Sequence, residues 1–226
     1  MASVVYSKEQ MMKAMKLPIF LALLGCALSP PALAQAIHVP QAGDQMDYLL
    51  SNGDLACSRV VEVEEGNEQS VAKVVQEITH PDGKQQINRY SFIYTPTAVG
   101  IALPFPDAEN AEAKVSPLIC YLEKAGLEDA WMAQSGSFRF LEEGALASCR
   151  FSVIGQFEKM ETVMVKAGTF KGCCRVGFRL RGENGKISTR SKLTIWYLPE
   201  LGIVKTRSER DGVHFESQLV YFRQAK

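Results

Sequence analysis

The chain has 226 residues, and its 25 basic side chains are balanced by 25 acidic ones, so the formal net charge is zero. That balance leaves no basic footprint for nucleic acid and no polybasic run for an anionic lipid surface. With 46% hydrophobic residues, the chain is apolar enough to build one sizeable core.

The first 34 residues read as an export signal. Lys13 and Lys16 supply a basic lead, residues 17–28 an apolar run, and Ser29-Pro30-Pro31 a break. Ala32-Leu33-Ala34 then forms an A-x-A cleavage site before Gln35. The lead before Lys13 is long for such a signal, which makes Met11, Met12 and Met15 alternative starts. The apolar run falls short of the roughly 20 residues a spanning helix needs, and Pro30-Pro31 would end a helix. No transmembrane anchor is therefore expected in the mature chain. Leu23-Leu24-Gly25-Cys26 resembles a bacterial lipobox, so lipid anchoring through Cys26 is the alternative to a periplasmic or secreted protein. The well-formed A-x-A site favours simple cleavage.

Cleavage removes Lys8, Glu9, Lys13 and Lys16, leaving 192 residues with 22 basic and 24 acidic side chains. The expected organisation is a signal peptide over 1–34, a flexible polar lead-in over 35–47, and a single β-rich domain over 48–226. Five cysteines remain: Cys57, Cys120, Cys149, Cys173 and Cys174. An oxidising compartment favours their pairing, and an odd number leaves at least one free.

From Cys57 the chain turns extended. CSRVVEVEE and QSVAKVVQEIT are separated by the Gly66-Asn67 turn, and His80-Pro81-Asp82-Gly83 leads to the strand QINRYSFIYT, ended by Pro96. After a polar connector over 104–114, Ser116 reads as a helix N-cap, Pro117 as the first helical residue and Gly126 as the C-terminal stop. Leu118, Tyr121, Leu122 and Ala125 recur at helical spacing, with Cys120 off that stripe. A second helical turn is expected around 127–132. After Gly136 the period becomes two. Cys149, Phe151, Val153 and Phe157 share one face, and Cys174, Val176, Phe178 and Leu180 another. Val213, Phe215, Leu219 and Tyr221 alternate less purely. Gly182-Glu183-Asn184-Gly185 and Arg210-Asp211-Gly212 read as hairpin turns.

The alternation places Cys149 and Cys174 on apolar strand faces and Cys173 on a polar one. The favoured disulfide is therefore Cys149 with Cys174, and Cys173 is the second choice. A vicinal Cys173–Cys174 bridge would be strained. No metal site is expected, because there is no C-x-x-C and His38, His80 and His214 lack ligand-like spacing to the cysteines. Nor is there a G-x-S-x-G, an H-E-x-x-H or a Gly-rich phosphate loop. Glu142-Glu143 and Glu158 with Glu161 read as solvated carboxylates, since no base or nucleophile accompanies them. The expectation is a protein that is not an enzyme, with no catalytic residues and no cofactor.

The most specific text is EKMETVMVKAGTF, with V-x-A-G-T-F at 165–170 in outline, and WYLPELGIVKT from Trp196. Ala167-Gly168-Thr169-Phe170 reads as a corner between strands, and Pro199-Glu200-Leu201-Gly202 as a turn. At these residues the chain resembles a group of mostly uncharacterised exported bacterial proteins that carry an A-G-T-F corner followed by a W-Y-x-P-x-x-G-x-V-K segment. The resemblance implies a single strongly bent antiparallel sheet, similar to the open half-barrels of lipoprotein-localisation carriers, with one or two short helices packed on it. It implies no activity. In such a half-barrel, Phe170, Trp196 and Tyr197 would line an apolar groove on the concave face, although strand-end aromatics more often pack as core. Lys205 could meet an anionic headgroup or guard a sheet edge. Two functions follow as expectations. One is binding of a lipid or an apolar partner segment on the concave face. The other is a structural or assembly role through protein contacts at sheet edges, with an unknown envelope protein as partner.

Overall fold

The computed structural model describes residues 37–102, 114–123, 125–142, 145–183, 190–210 and 212–225. The export signal with Cys26 lies outside them, as do Asn184 and Gly185 of the hairpin turn and most of the 104–114 connector. Among the described residues there are thirteen strands and no helix. They are β1 (Gln45–Leu50), β2 (Leu55–Glu65), β3 (Ser70–Thr79), β4 (Gln85–Thr95), β5 (Ala98–Ala102), β6 (Lys114–Val115) and β7 (Leu118–Leu122). The second half contributes β8 (Ala130–Glu142), β9 (Ala145–Val165), β10 (Gly168–Glu183), β11 (Arg190–Leu198), β12 (Gly202–Arg210) and β13 (Val213–Arg223).

All pair in one antiparallel sheet, ordered β6-β8-β9-β10-β11-β12-β13-β1-β2-β3-β4-β5-β7. Two meanders are thus joined where the last strand pairs with the first, Gln45 opposite Arg223. The two ends of the order, β6 and β7, follow each other in the chain with only Ser116 and Pro117 between them. The sheet therefore curls until its edges meet. The expected open half-barrel is instead a nearly closed barrel.

The expected helix is the clearest correction. Residues 118–122 are β7, paired with β5, and Cys120 is an extra residue in that ladder, because Val99 faces Tyr121 while Gly100 faces Ile119. A bulge puts both Cys120 and Tyr121 in the core. It also turns a two-residue period into a three-residue step, Leu118 to Tyr121, that imitates a helical stripe. Ser116 caps nothing. Its hydroxyl accepts from Ser135 N at 3.0 Å, and its own N–H donates to Ser135 O at 3.0 Å. Gly126 belongs to a turn, where its N–H meets Asp129 Oδ2 at 2.7 Å, and the second expected helical turn is the start of β8.

Residues 37–44 form a packed lead into β1, which starts at Gln45 within the stretch expected to be flexible. Ile37 and Val39 pack against the core. The buried Asp44 accepts from Gln41 N at 2.8 Å and from Ala225 N at 2.7 Å, tying the two ends of the domain together.

The inner face alternates as the sequence suggests: Met46, Tyr48 and Leu50 on β1, Ala72, Val74 and Ile78 on β3, Tyr90, Phe92 and Tyr94 on β4. The barrel is filled across its width. Tyr121 of β7 stacks on Tyr197 of β11 with centroids 4.7 Å apart, and Trp131 of β8 meets Phe178 of β10 edge-on at 6.2 Å. Tyr48 donates its hydroxyl to Ile203 O at 2.8 Å. Buried polar groups inside are satisfied in the same way: Gln76 Nε2 and Tyr90 OH both donate to Ser58 Oγ, and the Thr206 and Ser217 hydroxyls bond at 2.7 Å.

Two predicted corners hold. Gly168 at φ 143° and Gly202 at φ 99° adopt backbone that side chains with a Cβ rarely tolerate, so the A-G-T-F corner and the W-Y-x-P-x-x-G turn need glycine there.

Candidate functional site

The expected groove of Phe170, Trp196 and Tyr197 does not assemble. Trp196 and Tyr197 are neighbours on β11 and point to opposite faces. Tyr197 lies inside the barrel, 2% exposed and stacked on Tyr121. Trp196 is on the outer face, and Phe170 sits at the β9–β10 turn, 6.3 Å from Phe222.

Trp196 is nevertheless only 8% exposed, because an ion network covers it. Its indole N–H donates to Glu161 Oε1 at 2.6 Å, and Arg175 on β10 and Lys205 on β12 flank the ring at 5.6 and 5.4 Å from its centroid. Arg175 pairs with Glu158 at 2.7 Å, Lys159 with Glu161 at 2.7 Å, and Lys205 with Glu216 at 2.9 Å. A hydrogen bond from Lys159 holds Glu161 below the usual carboxylate range, despite partial burial. At Glu216 burial pushes upward, but hydrogen bonds from Lys205 and Gln218 outweigh it and the carboxyl is lowered. Glu158 and Glu161 are thus partners in a network rather than solvated acids. Lys205 lies in an interior strand of the sheet, not at an edge. The network staples the outer faces of β9 to β13 together.

The expected disulfide is not made. Cys174 on β10 stands opposite Met160 on β9, whereas Cys149 lies eleven positions away on β9, opposite Phe138 of β8. At ~3.3 Å per residue that separation is about 35 Å, far beyond the ~7 Å a bridge allows. Cys57, Cys120, Cys173 and Cys174 are free thiols. Cys173 is buried as well as Cys174, because a bulge between Phe170 and Cys173 breaks the alternation. Burial pushes the Cys120 and Cys173 thiols up to about 12 and those of Cys57 and Cys174 to about 11. These are protonated thiols at neutral pH, poor nucleophiles and poor metal ligands. Among the described residues no three His, Cys, Asp or Glu side chains are grouped to hold a metal ion.

What the structure does offer is a seam and a projection. The gap between β7 and β8 is bridged by isolated bonds: Ser116 to Ser135, Gln134 Nε2 to Ser116 O at 2.7 Å, and Trp131 Nε1 to Ile119 O at 3.2 Å. Beside it lies an open groove of about 750 Å³ lined by Val115, Ser116, Ser135, Ser137, Arg150 and Phe151. Above the groove, β8 and β9 continue beyond the described ends of the strands beside them. β10 ends at Glu183, opposite Arg150, and β6 reaches only to Ser137, yet the β8–β9 ladder continues for five further pairs, from Phe138–Cys149 to Glu142–Ala145. Among the described residues this ribbon has no third strand. Its sequence, FRFLE facing ALASC, is rich in Phe138, Phe140, Leu141 and Leu146. Alternation after Gly136 marks the two strands in the sequence, but nothing local shows how far their ladder extends.

No protein-family model matches the chain, and no curated protein matches it either. Among solved structures it is similar to a Bacteroides fragilis protein described as exported and as having a YmcC-like fold. The identity is 18% and the TM-score 0.61, over 84% of this chain and 100% of that one. It is also similar to a Parabacteroides distasonis protein described as a lipoprotein, with 15% identity and a TM-score of 0.58, over 84% of this chain and 99% of that one. At such identities the likeness is one of fold, and it spans the whole of both relatives: this chain shares the barrel architecture of a YmcC-like exported protein.

Proposed function

We propose that the protein is an exported component of the bacterial cell envelope that works by binding, and that its partner is another envelope protein docked against the β8–β9 ribbon. The observation that carries this reading is the ribbon itself. A two-stranded ribbon is marginal in water, and one with an apolar sequence and an edge that no described strand pairs is suited to accept a further strand or a covering segment. The rings that occupy the barrel interior weigh against a lipid held on a concave face, the other expected function. The export signal, together with two neighbours described as exported or as a lipoprotein, supports a periplasmic or secreted location, with anchoring through Cys26 as the variant form. The raised thiols give no support to an enzyme that uses cysteine as nucleophile.

The test is site-specific photo-crosslinking in the producing cell, with the crosslinker at Phe140 or Leu146 and, as control, at the exposed Ile87. One discrete protein adduct at both ribbon positions and none at Ile87 is expected. Deleting residues 139–148 should abolish it while the remaining barrel keeps its melting temperature. Absence of ribbon adducts, with native mass spectrometry finding a stoichiometric lipid on the purified protein, would overturn the reading.

A further inference from the structure

The two ends of the barrel differ. One end collects the turns after β2, β4, β7, β9 and β11, together with residues 37–44 and the end of β13. At this end the β9–β10 hairpin folds over onto β13. Ala167 N donates to Leu219 O at 3.1 Å, and Phe170 packs edge-on to Phe222. Around that contact the surface is exposed and apolar: Met164 is 78% exposed, Met160 61%, Tyr221 47% and Phe222 37%. Lys166, Lys171 and Arg223, all exposed, stand among them. Residues 162–172 carry two lysines and no carboxylate, and residues 219–225 carry Arg223 and no carboxylate. Two stretches about fifty residues apart thus bring three cations and four apolar or aromatic side chains to one end, with Tyr221 and Phe222 on opposite faces of β13, and with Asp47 opposite Tyr221 and Glu200 on the β11–β12 turn as nearby carboxylates. The opposite sector of the same end is acidic, with Glu64, Glu65 and Glu68 near the β2–β3 turn and Glu123, Glu128 and Asp129 before β8.

We propose that this sector is a lipid-contact surface: the barrel tips its β9–β10 turn and the end of β13 onto the face of an anionic bilayer. Two observations select a lipid surface as the occupant. The first is charge complementarity. Lysine and arginine with tyrosine, phenylalanine and methionine is the composition that seats at a headgroup layer, the rings at the acyl boundary and the cations among phosphates. The second is where the chain enters. Ile37 lies at this end, its neighbour His38 donating to Pro199 O of the β11–β12 turn. Cys26, the lipidation alternative, precedes Ile37 by eleven residues, a tether of at most about 40 Å. A tether that short would hold this end toward the membrane. The inference rests on the envelope location proposed above and is independent of the ribbon, which projects from the other end.

The test removes the tether so that the barrel's own affinity is read. The Cys26→Ala protein, exported and purified, is mixed with vesicles of phosphatidylethanolamine and phosphatidylglycerol, or of phosphatidylcholine alone, and binding is measured by flotation. Binding to the anionic vesicles, weakened by added salt and much weaker on phosphatidylcholine, is expected. Lys166→Gln and Lys171→Gln should each weaken it about fivefold, the effect of one cation near an anionic surface. Met164→Asp should abolish it. Ile87→Asp and Val213→Asp, at the other end, should bind as the parent does, and all five variants alter exposed positions and should melt as the parent does. No binding to anionic vesicles, equal binding to phosphatidylcholine, or a loss with Ile87→Asp equal to that with Met164→Asp would overturn the proposal. The crosslinks at Phe140 and Leu146 are unaffected by any of these results, so failure here leaves the ribbon reading standing.

Discussion

Tyr197→Ala and Trp196→Ala, adjacent on β11, should destabilise the protein by different amounts for a reason the fold supplies. Tyr197 is enclosed inside the barrel, its ring stacked at 4.7 Å and 19° on Tyr121 from the far end of the sheet order. Truncating a buried aromatic side chain costs ~3–5 kcal/mol, because the hole it leaves is not refilled. Loss of the ring pair is part of that cost, worth ~0.5–1.5 kcal/mol. For a domain of this size a kcal/mol moves the melting temperature by roughly 2–4 °C, so Tyr197→Ala should melt about 8–15 °C lower. Trp196 leaves its hole on the outer face, where water can enter. What it loses is the bond to Glu161 and the contacts with Arg175 and Lys205, each worth about 0.5–1 kcal/mol at a face that water can reach, or about 1.5–3 kcal/mol together. Trp196→Ala should therefore fall by about half as much, and its deficit should shrink in high salt, which already screens the network in the parent. Thermal melting by circular dichroism at low and high salt reads both. If Trp196→Ala proves the more damaging, or Tyr197→Ala melts like the parent, the assignment of inner and outer faces on β11 is wrong.

The thiols offer a second check. Protein denatured without reductant should titrate at least four free thiols, Cys57, Cys120, Cys173 and Cys174, whereas in the native state at pH 8 they should react slowly. Fewer than four would mean a bridge the barrel does not allow. Gly155→Ala should destabilise by about 1–3 kcal/mol, since a Cβ there would lie 2.6 Å from Trp131 Cε2 and the indole is held by its bond to Ile119 O; an unchanged denaturation midpoint would count against the seam packing. Glu161 and Glu216 have carboxyls lowered in the folded state, so the stability they contribute is present above the unfolded carboxylate range near pH 4.5 and is lost as pH falls through their lowered values. Between pH 5 and 3 the parent should lose melting temperature more steeply than Glu161→Gln or Glu216→Gln, and equal slopes would refute the network's part in acid stability.

How much of this was legible in the chain follows the range of each interaction. Strand alternation is local, so β2, β3, β4 and β13 show in the sequence within a residue or two, and β10 shows over its second half. Positive φ at a turn is local too, and Gly168 and Gly202 were readable. Bulges are not. One extra residue at Cys120 made a strand look helical, and another before Cys173 buried a cysteine assigned to the wet face. Strand position is not local either: Cys149 and Cys174 were placed on apolar faces, but nothing in the period says how far apart along the ladder two such residues fall. Trp196 and Tyr197 could have been separated from sequence, since consecutive strand residues cannot line one groove. The patch of Lys166, Lys171 and Arg223 could not, because it exists only once β9 and β10 fold over β13.

The closure of the barrel decides where function can reside. A sheet of this many strands, kept round, would enclose a lumen wide enough for a ligand. Here β7 and β11, five strand positions apart even across the seam, bring Tyr121 and Tyr197 into van der Waals contact. Rings stacked at 4.7 Å require the opposing walls to approach as two packed sheets do, about 10 Å apart, and at that spacing side chains fill the space between them. With the lumen given over to core and the sheet edges meeting at Ser116 and Pro117, the surfaces left to recognise anything are the outer face and the two ends. The outer face from β9 to β13 is occupied by its own ion network around Trp196. The two ends are therefore where the proposed binding surfaces lie, one at the β8–β9 ribbon, which no described strand flanks, and the other at the β9–β10 turn and the end of β13 beside the entry of the chain.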